Sequence, residues 1–136
     1  MNIAIIVADF NGEITKEMER AALEHAKRQK LVVVKITHVP GAFDIPFAAS
    51  KIIGEKNIDG IVVLGSVIRG GTSHDEVIAH ATATSLQELS MRGGKPIGFG
   101  ISGPRMTREQ AIARIESTAK HAVDAEIGRA SCRERV

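Results

Sequence analysis

Gly60-Ile61-Val62-Val63-Leu64-Gly65-Ser66-Val67-Ile68-Arg69-Gly70-Gly71-Thr72-Ser73-His74-Asp75-Glu76 holds a strand, a glycine turn and a helix start in direct succession. Ile61 to Leu64 is apolar without a break and rich in β-branched residues, which suits a strand covered on both faces. Gly70-Gly71 ends it. Ser73-His74-Asp75-Glu76 then has the spacing of a capping box, with Ser73 as cap and Glu76 three residues on.

The same alternation extends outward. Residues 2–8, 31–38 and 96–101 are short β-branched runs that predict strands. Between them lie helical patterns. Ile14, Met18, Ala21, Ala22 and Ala26 share one face of a helix predicted over 14–30, whose final turn carries Lys27, Arg28 and Lys30 to complement the dipole. A second helix opens around Asp44 to Pro46. A fourth begins at Thr107, where Thr107-Arg108-Glu109-Gln110 repeats the capping pattern; it runs through Ala111, Ile112, Arg114, Ile115 and Ala119. Strand–helix alternation predicts an α/β three-layer sandwich, a flavodoxin-like four-stranded parallel sheet with helices on both faces. The length of 136 residues suits one domain.

Charge narrows the function. The formal net charge is +2, but residues 127–136 hold Arg129, Arg133 and Arg135 against Glu134 alone. Without those ten residues the chain has 15 basic and 15 acidic residues, so the body is neutral and predicts no nucleic-acid partner. No apolar run is long enough for a membrane span. The start shows no signal-peptide pattern, which predicts a cytoplasmic protein. The segment 126–136 reads like a sequencing adapter translated in frame. We therefore expect a domain over 1–125, its C-terminal helix truncated, followed by a non-native tail over 126–136. Cys132, the single cysteine, lies in that tail, so the body offers no disulfide, thiolate nucleophile or zinc site.

In parallel sheets ligands bind beyond the carboxyl ends of the strands. The four post-strand segments carry the unusual residues: Asp9-Phe10-Asn11-Gly12, Val39-Pro40-Gly41-Ala42-Phe43-Asp44-Ile45-Pro46, Ile68-Arg69-Gly70-Gly71-Thr72-Ser73-His74 and Ser102-Gly103-Pro104. Of four aromatic residues, all Phe, Phe10 and Phe43 lie on these turns. They fit a stacked ring ligand, or equally a plug for the sheet edge or a subunit contact. Gly70 to Ser73 at a helix start can hold a lone phosphate, provided Glu76 folds back onto the cap rather than opposing the anion. No Gly-Lys-Ser/Thr follows, so it is not a nucleotide triphosphate loop. His74 beside it can move protons; His25, His38, His80 and His121 have no comparable setting, and the His spacing predicts no metal site. Asp44 reads as either a helix cap or a hydroxyl acceptor. Arg114, mid-helix, reads as either a surface arginine or a phosphate clamp.

Taken together, these motifs resemble the lumazine synthase family. The resemblance rests on Asp9-Phe10-Asn11, on Val39 to Pro46, on Leu64 to His74, on Phe99-Gly100 and on Glu109 to Arg114, in order along nearly all of residues 1–125. Ile101-Ser102-Gly103-Pro104-Arg105-Met106-Thr107-Arg108 resembles the family's archaeal branch. The resemblance implies condensation of 5-amino-6-(D-ribitylamino)uracil with 3,4-dihydroxy-2-butanone 4-phosphate, giving 6,7-dimethyl-8-ribityllumazine without a cofactor. It implies that Phe10 stacks on the pyrimidine beside Asn11, and that Ala42, Phe43 and Asp44 hold the ribityl chain. Val67 and Ile68 meet the pyrimidine edge through their backbone, Gly71 and Thr72 bind phosphate, and His74 shuttles protons. Phe99 and Arg114 come from a neighbouring subunit, because the family's sites lie between subunits of a homopentamer; some members assemble a shell of twelve pentamers. Three features depart from the pattern: Asp44 stands where many relatives have Glu, a late lysine has only Lys120 as candidate, and the last helix is short.

Three rival readings fit the residues less well. An archaeal-type riboflavin synthase shares the fold but needs no phosphate site, against Gly71, Thr72 and Arg114. A flavin- or lumazine-binding or shell protein would not need His74. A receiver domain would need more acids after strand one than Asp9.

Overall fold

A computed structural model describes residues 1–135 of the backbone and 1–132 of the side chains, so Val136 and the last side chains of the expected tail lie outside the described residues. Four strands form one parallel sheet: β1 Asn2–Ala8, β2 Val32–Val39, β3 Gly60–Ser66 and β4 Ile97–Ser102, in the order β2-β1-β3-β4. The predicted parallel three-layer fold is what the chain adopts. β1 and β3 are central and covered on both faces, which is why they are nearly uniformly apolar.

Alternate residues of β1 divide between two cores. Ile3, Ile5 and Val7 pack with Ile14, Met18, Ala21, Ala22 and Ala26 of α1 (Gly12–Arg28) and with Ala119, Ala122 and Val123 of α5 (Ile115–Arg135). Ala4, Ile6 and Ala8 pack with Ile45, Ala49 and Ile52 of α2 (Ile45–Ile52) and with Leu86 of α3 (His74–Gly93). Gly98 and Gly100 let α5 lie close on β4; a Cβ at Gly98 would collide with the Ala122 carbonyl.

The edge strand β2 is irregular. Ile3 pairs with Val33 but Ala4 with Lys35, so Val34 is an extra, bulged residue. Each residue after it is turned to the opposite face from an unbulged register. Lys35 therefore meets Glu55 beyond α2 at 3.0 Å, and His38, opposite Val7, faces α1.

Two helix predictions need correction. The fourth pattern is not one helix: α4 spans Arg108–Ala113, the chain turns at Arg114 (φ −107°), and α5 starts at Ile115. Arg114 is thus at a junction rather than mid-helix, where the axis is redirected so that both Ala111 and Ala119 reach the same core. Thr107 does cap α4, accepting from Gln110 N at 3.2 Å while Gln110 Oε1 accepts from Thr107 N at 2.9 Å. The matching box at Ser73 does not form. Ser73 makes no side-chain cap bond, Glu76 N donating to the Ser73 carbonyl instead, and the Glu76 carboxylate pairs with Arg105.

Candidate active site

The chain from β1 leads to one side of the sheet (β2) and the chain from β3 to the other (β4), so their carboxyl ends part at a topological switch point. A cavity of about 290 Å³ opens there. Phe10 and Asn11 line it from the β1 exit, Gly41, Ala42 and Phe43 from the β2 exit, and Ser66, Val67, Ile68, Gly70, Thr72 and His74 from the β3 exit.

Two rings flank this cavity without being packed away. Phe10 is 73% exposed and Phe43 63% exposed. Exposed rings on separate turns beside one cavity suit a flat ligand that buries them on arrival. Asn11 has φ 62°, a left-handed conformation that asparagine tolerates better than most residues, and caps α1 without a side-chain cap bond. Its amide Nδ2 instead donates to the Ser66 carbonyl at 2.8 Å. The hydroxyls of Ser66 and Ser102 share a buried hydrogen bond at 3.0 Å that joins β3 to β4 just below.

Asp44 stands immediately before α2. It gives α2 no side-chain cap; one carboxylate oxygen accepts from Gly41 N at 3.0 Å, bracing the short 3₁₀ turn Ala42–Asp44, and the side chain stays exposed beyond the cavity lining.

Two acids, Asp75 and Glu76, stand at the start of α3 directly after the glycine loop. Asp75 is buried and accepts from Arg105 N at 2.9 Å, while Glu76 pairs with the Arg105 guanidinium. Arg69 N donates to the Met106 carbonyl at 2.8 Å. The β4–α4 loop thus engages Asp75 and Glu76 and braces the glycine loop, with Asp75 also lining the cavity. Gly71, Thr72 and His74 are exposed, with His74 N donating to Thr72 Oγ1 at 3.3 Å; Thr72 and His74 line the cavity and Gly71 lies beside its lining. Local spacing gave no sign of this, since Arg105 lies far along the chain.

Phe99 and Arg114 are not brought to this cavity. Phe99 lies on edge strand β4 beside Leu86 and Gln87 of α3, and Arg114 is exposed at the α4–α5 junction. Sequence reasoning also passed over His38, whose ring lies between Asp9 and Glu19. Among the described residues no group of His, Cys, Asp and Glu is arranged to hold a metal ion.

The fold and this crevice define a small flavodoxin-like α/β protein with a cavity at the switch point flanked by two exposed rings and a glycine loop. The profile of the 6,7-dimethyl-8-ribityllumazine synthase family matches residues 1–133. Over 123 residues the chain is 44% identical to the 6,7-dimethyl-8-ribityllumazine synthase of Staphylothermus marinus, covering 90% of this chain and 82% of that one. It is 42% identical over 127 residues to the enzymes of that name from Pyrobaculum arsenaticum and Methanopyrus kandleri, covering 93% of this chain and 85% and 89% of theirs. The chain belongs to the 6,7-dimethyl-8-ribityllumazine synthase family.

Proposed function

We propose that the chain condenses 5-amino-6-(D-ribitylamino)uracil with 3,4-dihydroxy-2-butanone 4-phosphate to 6,7-dimethyl-8-ribityllumazine, phosphate and water, a step of riboflavin biosynthesis. The observation that carries this is one cavity lined by two exposed rings, a glycine loop at the start of α3 and an exposed histidine. Phe10 stacks on the pyrimidine, whose edge meets the backbone of Val67 and Ile68. Asn11 holds the turn. Ala42, Phe43 and the free oxygen of Asp44 receive the ribityl chain. Gly71 and Thr72 bind the phosphate through N–H groups.

The pyrimidine 5-amino group attacks the ketone and forms an imine with loss of water. Proton transfer, which His74 assists, precedes phosphate departure; ring closure and a second dehydration complete the lumazine. No external cofactor enters these steps. Most of the rate comes from holding two substrates in contact, which removes the entropic cost of their meeting.

Phe99 and Arg114 enter this account from a second copy. Their distance from the cavity in one chain, together with the apolar flank around Phe99, supports a site completed between subunits of a homopentamer, with a shell of twelve pentamers as the larger form. No described helix is long and apolar enough to cross a membrane. A phosphorylated sugar substrate supports a cytoplasmic place of action.

The same reading takes 1–125 as the enzyme domain and 126–136 as non-native. Its support is that α5 puts Ala119, Ala122, Val123 and Glu126 on one buried face, and the last is a carboxyl group with one buried oxygen that lacks a hydrogen-bond partner.

Steady-state kinetics with both substrates test the assignment. Phe10→Ala should raise KM for the pyrimidine and Arg114→Ala, which removes the guanidinium from the phosphate, that for the butanone phosphate. An enzyme whose two KM values respond alike to both changes would not have this divided site.

A further inference from the structure

We infer that His38 is a positioning residue for the pyrimidine subsite, clamping the Phe10 turn to β2 and α1. The inference rests on the proposed stacking role of Phe10. Phe10 has little packing to hold it, so the turn depends on polar ties. Asp9 N donates to the Val39 carbonyl at 2.8 Å and Phe10 N to the Pro40 carbonyl at 3.0 Å. These extend the β1–β2 ladder past the strand ends; Ile14 N and Thr15 N, donating to the Asn11 carbonyl, hold the far end of the turn to α1, whereas the backbone at its Asp9 end makes no such tie to the helix.

His38 closes that side. Its Nδ1 lies 2.7 Å from Asp9 Oδ1, directly before Phe10, and its Nε2 lies 2.9 Å from Glu19 Oε1 of α1. A neutral imidazole has one N–H donor, whereas two carboxylates offer only acceptors. Both contacts together therefore require the imidazolium. The bulge at Val34 is what turns His38 toward α1; in an unbroken register it would face α2. Among the described residues, Asp9 and Glu19 are the charged groups that face this ring.

The hydrogen bond to Asp9, aided by the charge of Glu19, holds the imidazole above its ordinary pKa against partial desolvation. A raised histidine pKa stabilises the folded arrangement at pH below the ordinary value, and that contribution is lost as pH rises through the raised one. The clamp is thus closed at pH below the ordinary histidine value and opens as the pH rises through the raised one. Opening lowers the fraction of chains with Phe10 in place and weakens pyrimidine binding by that fraction.

The test is calorimetric binding of 5-amino-6-(D-ribitylamino)uracil alone, to the full chain and its variants, between about pH 6 and about pH 9. His38→Gln should bind about fivefold more weakly at the acid end, and the ratio to wild type should close toward one at the alkaline end. Using the ratio removes any titration of the ligand itself. Asp9→Asn should show the same loss, and the double variant no further loss. An equal loss at every pH would mean a merely structural role and would overturn the proposal, as would wild-type affinity in His38→Gln while Phe10→Ala is weakened. Wild-type affinity in Phe10→Ala would instead remove the stacking premise and overturn the clamp with it.

Discussion

Asn11 donates its side-chain amide to the Ser66 carbonyl at 2.8 Å and so ties the exit of β1 to the exit of β3 across the switch point. The bond spans 55 residues of sequence and sets the floor of the cavity. The left-handed backbone at Asn11 is what aims the amide there while α1 starts in the other direction.

Replacing Asn11 separates two contributions. Asn11→Ala loses the hydrogen bond and places Ala in the left-handed region, for a combined cost of about 2 kcal/mol. Asn11→Gly loses the bond alone and should cost about half as much, roughly 1 kcal/mol. Denaturant midpoints for the two variants check this. Equal midpoints would mean the backbone conformation contributes nothing.

Much of this could be read in the sequence, for physical reasons. Ile61 to Leu64 has to be a doubly covered strand, because nothing else buries four successive branched residues so simply. The turns bearing Phe10, Phe43 and His74 converge because all parallel strands end on one side of the sheet. What could not be read depends on distant partners or on geometry without a local signal. Ser73 and Glu76 have the spacing of a box, yet Arg105 takes Glu76. Ala113-Arg114-Ile115 contains no helix breaker, yet the helix turns there. Val32-Val33-Val34 gives no hint of which residue bulges, and the side to which His38 points follows from that bulge.

Glu126 makes stability depend on pH. Burial beneath α5 pushes its carboxyl up to about 9, although Gly98 N donates to Oε1 at 2.7 Å; Oε2 is buried without a hydrogen-bond partner. A carboxyl whose folded pKa lies above its unfolded value near 4.5 costs stability progressively between those two pH values. At neutral pH that cost is roughly 3 kcal/mol. Glu126→Gln keeps the shape and removes the titration, so its thermal midpoint should exceed wild type at pH 8 and converge with it near pH 4. Parallel curves for the two proteins would show that the carboxyl is not buried.

Arg114→Ala tests the contribution of the second copy. Loss of a guanidinium on the phosphate should raise KM for the butanone phosphate roughly tenfold or more, with little change in KM for the pyrimidine. If neither constant moves, Arg114 is a surface residue.

His74→Ala should slow turnover about 100-fold without abolishing it, since general acid–base help is modest beside the gain from juxtaposing two substrates. Complete loss of turnover with both substrates still bound would make His74 indispensable and the juxtaposition account insufficient.

The central claim is the condensation itself. The purified chain should be mixed with 5-amino-6-(D-ribitylamino)uracil and 3,4-dihydroxy-2-butanone 4-phosphate, and lumazine absorbance and free phosphate followed together against the uncatalysed reaction. The account predicts that both signals rise above background in step, one phosphate for each lumazine. A folded, oligomeric protein that leaves both signals at the uncatalysed rate would contradict it and would leave a binding or shell protein with this fold.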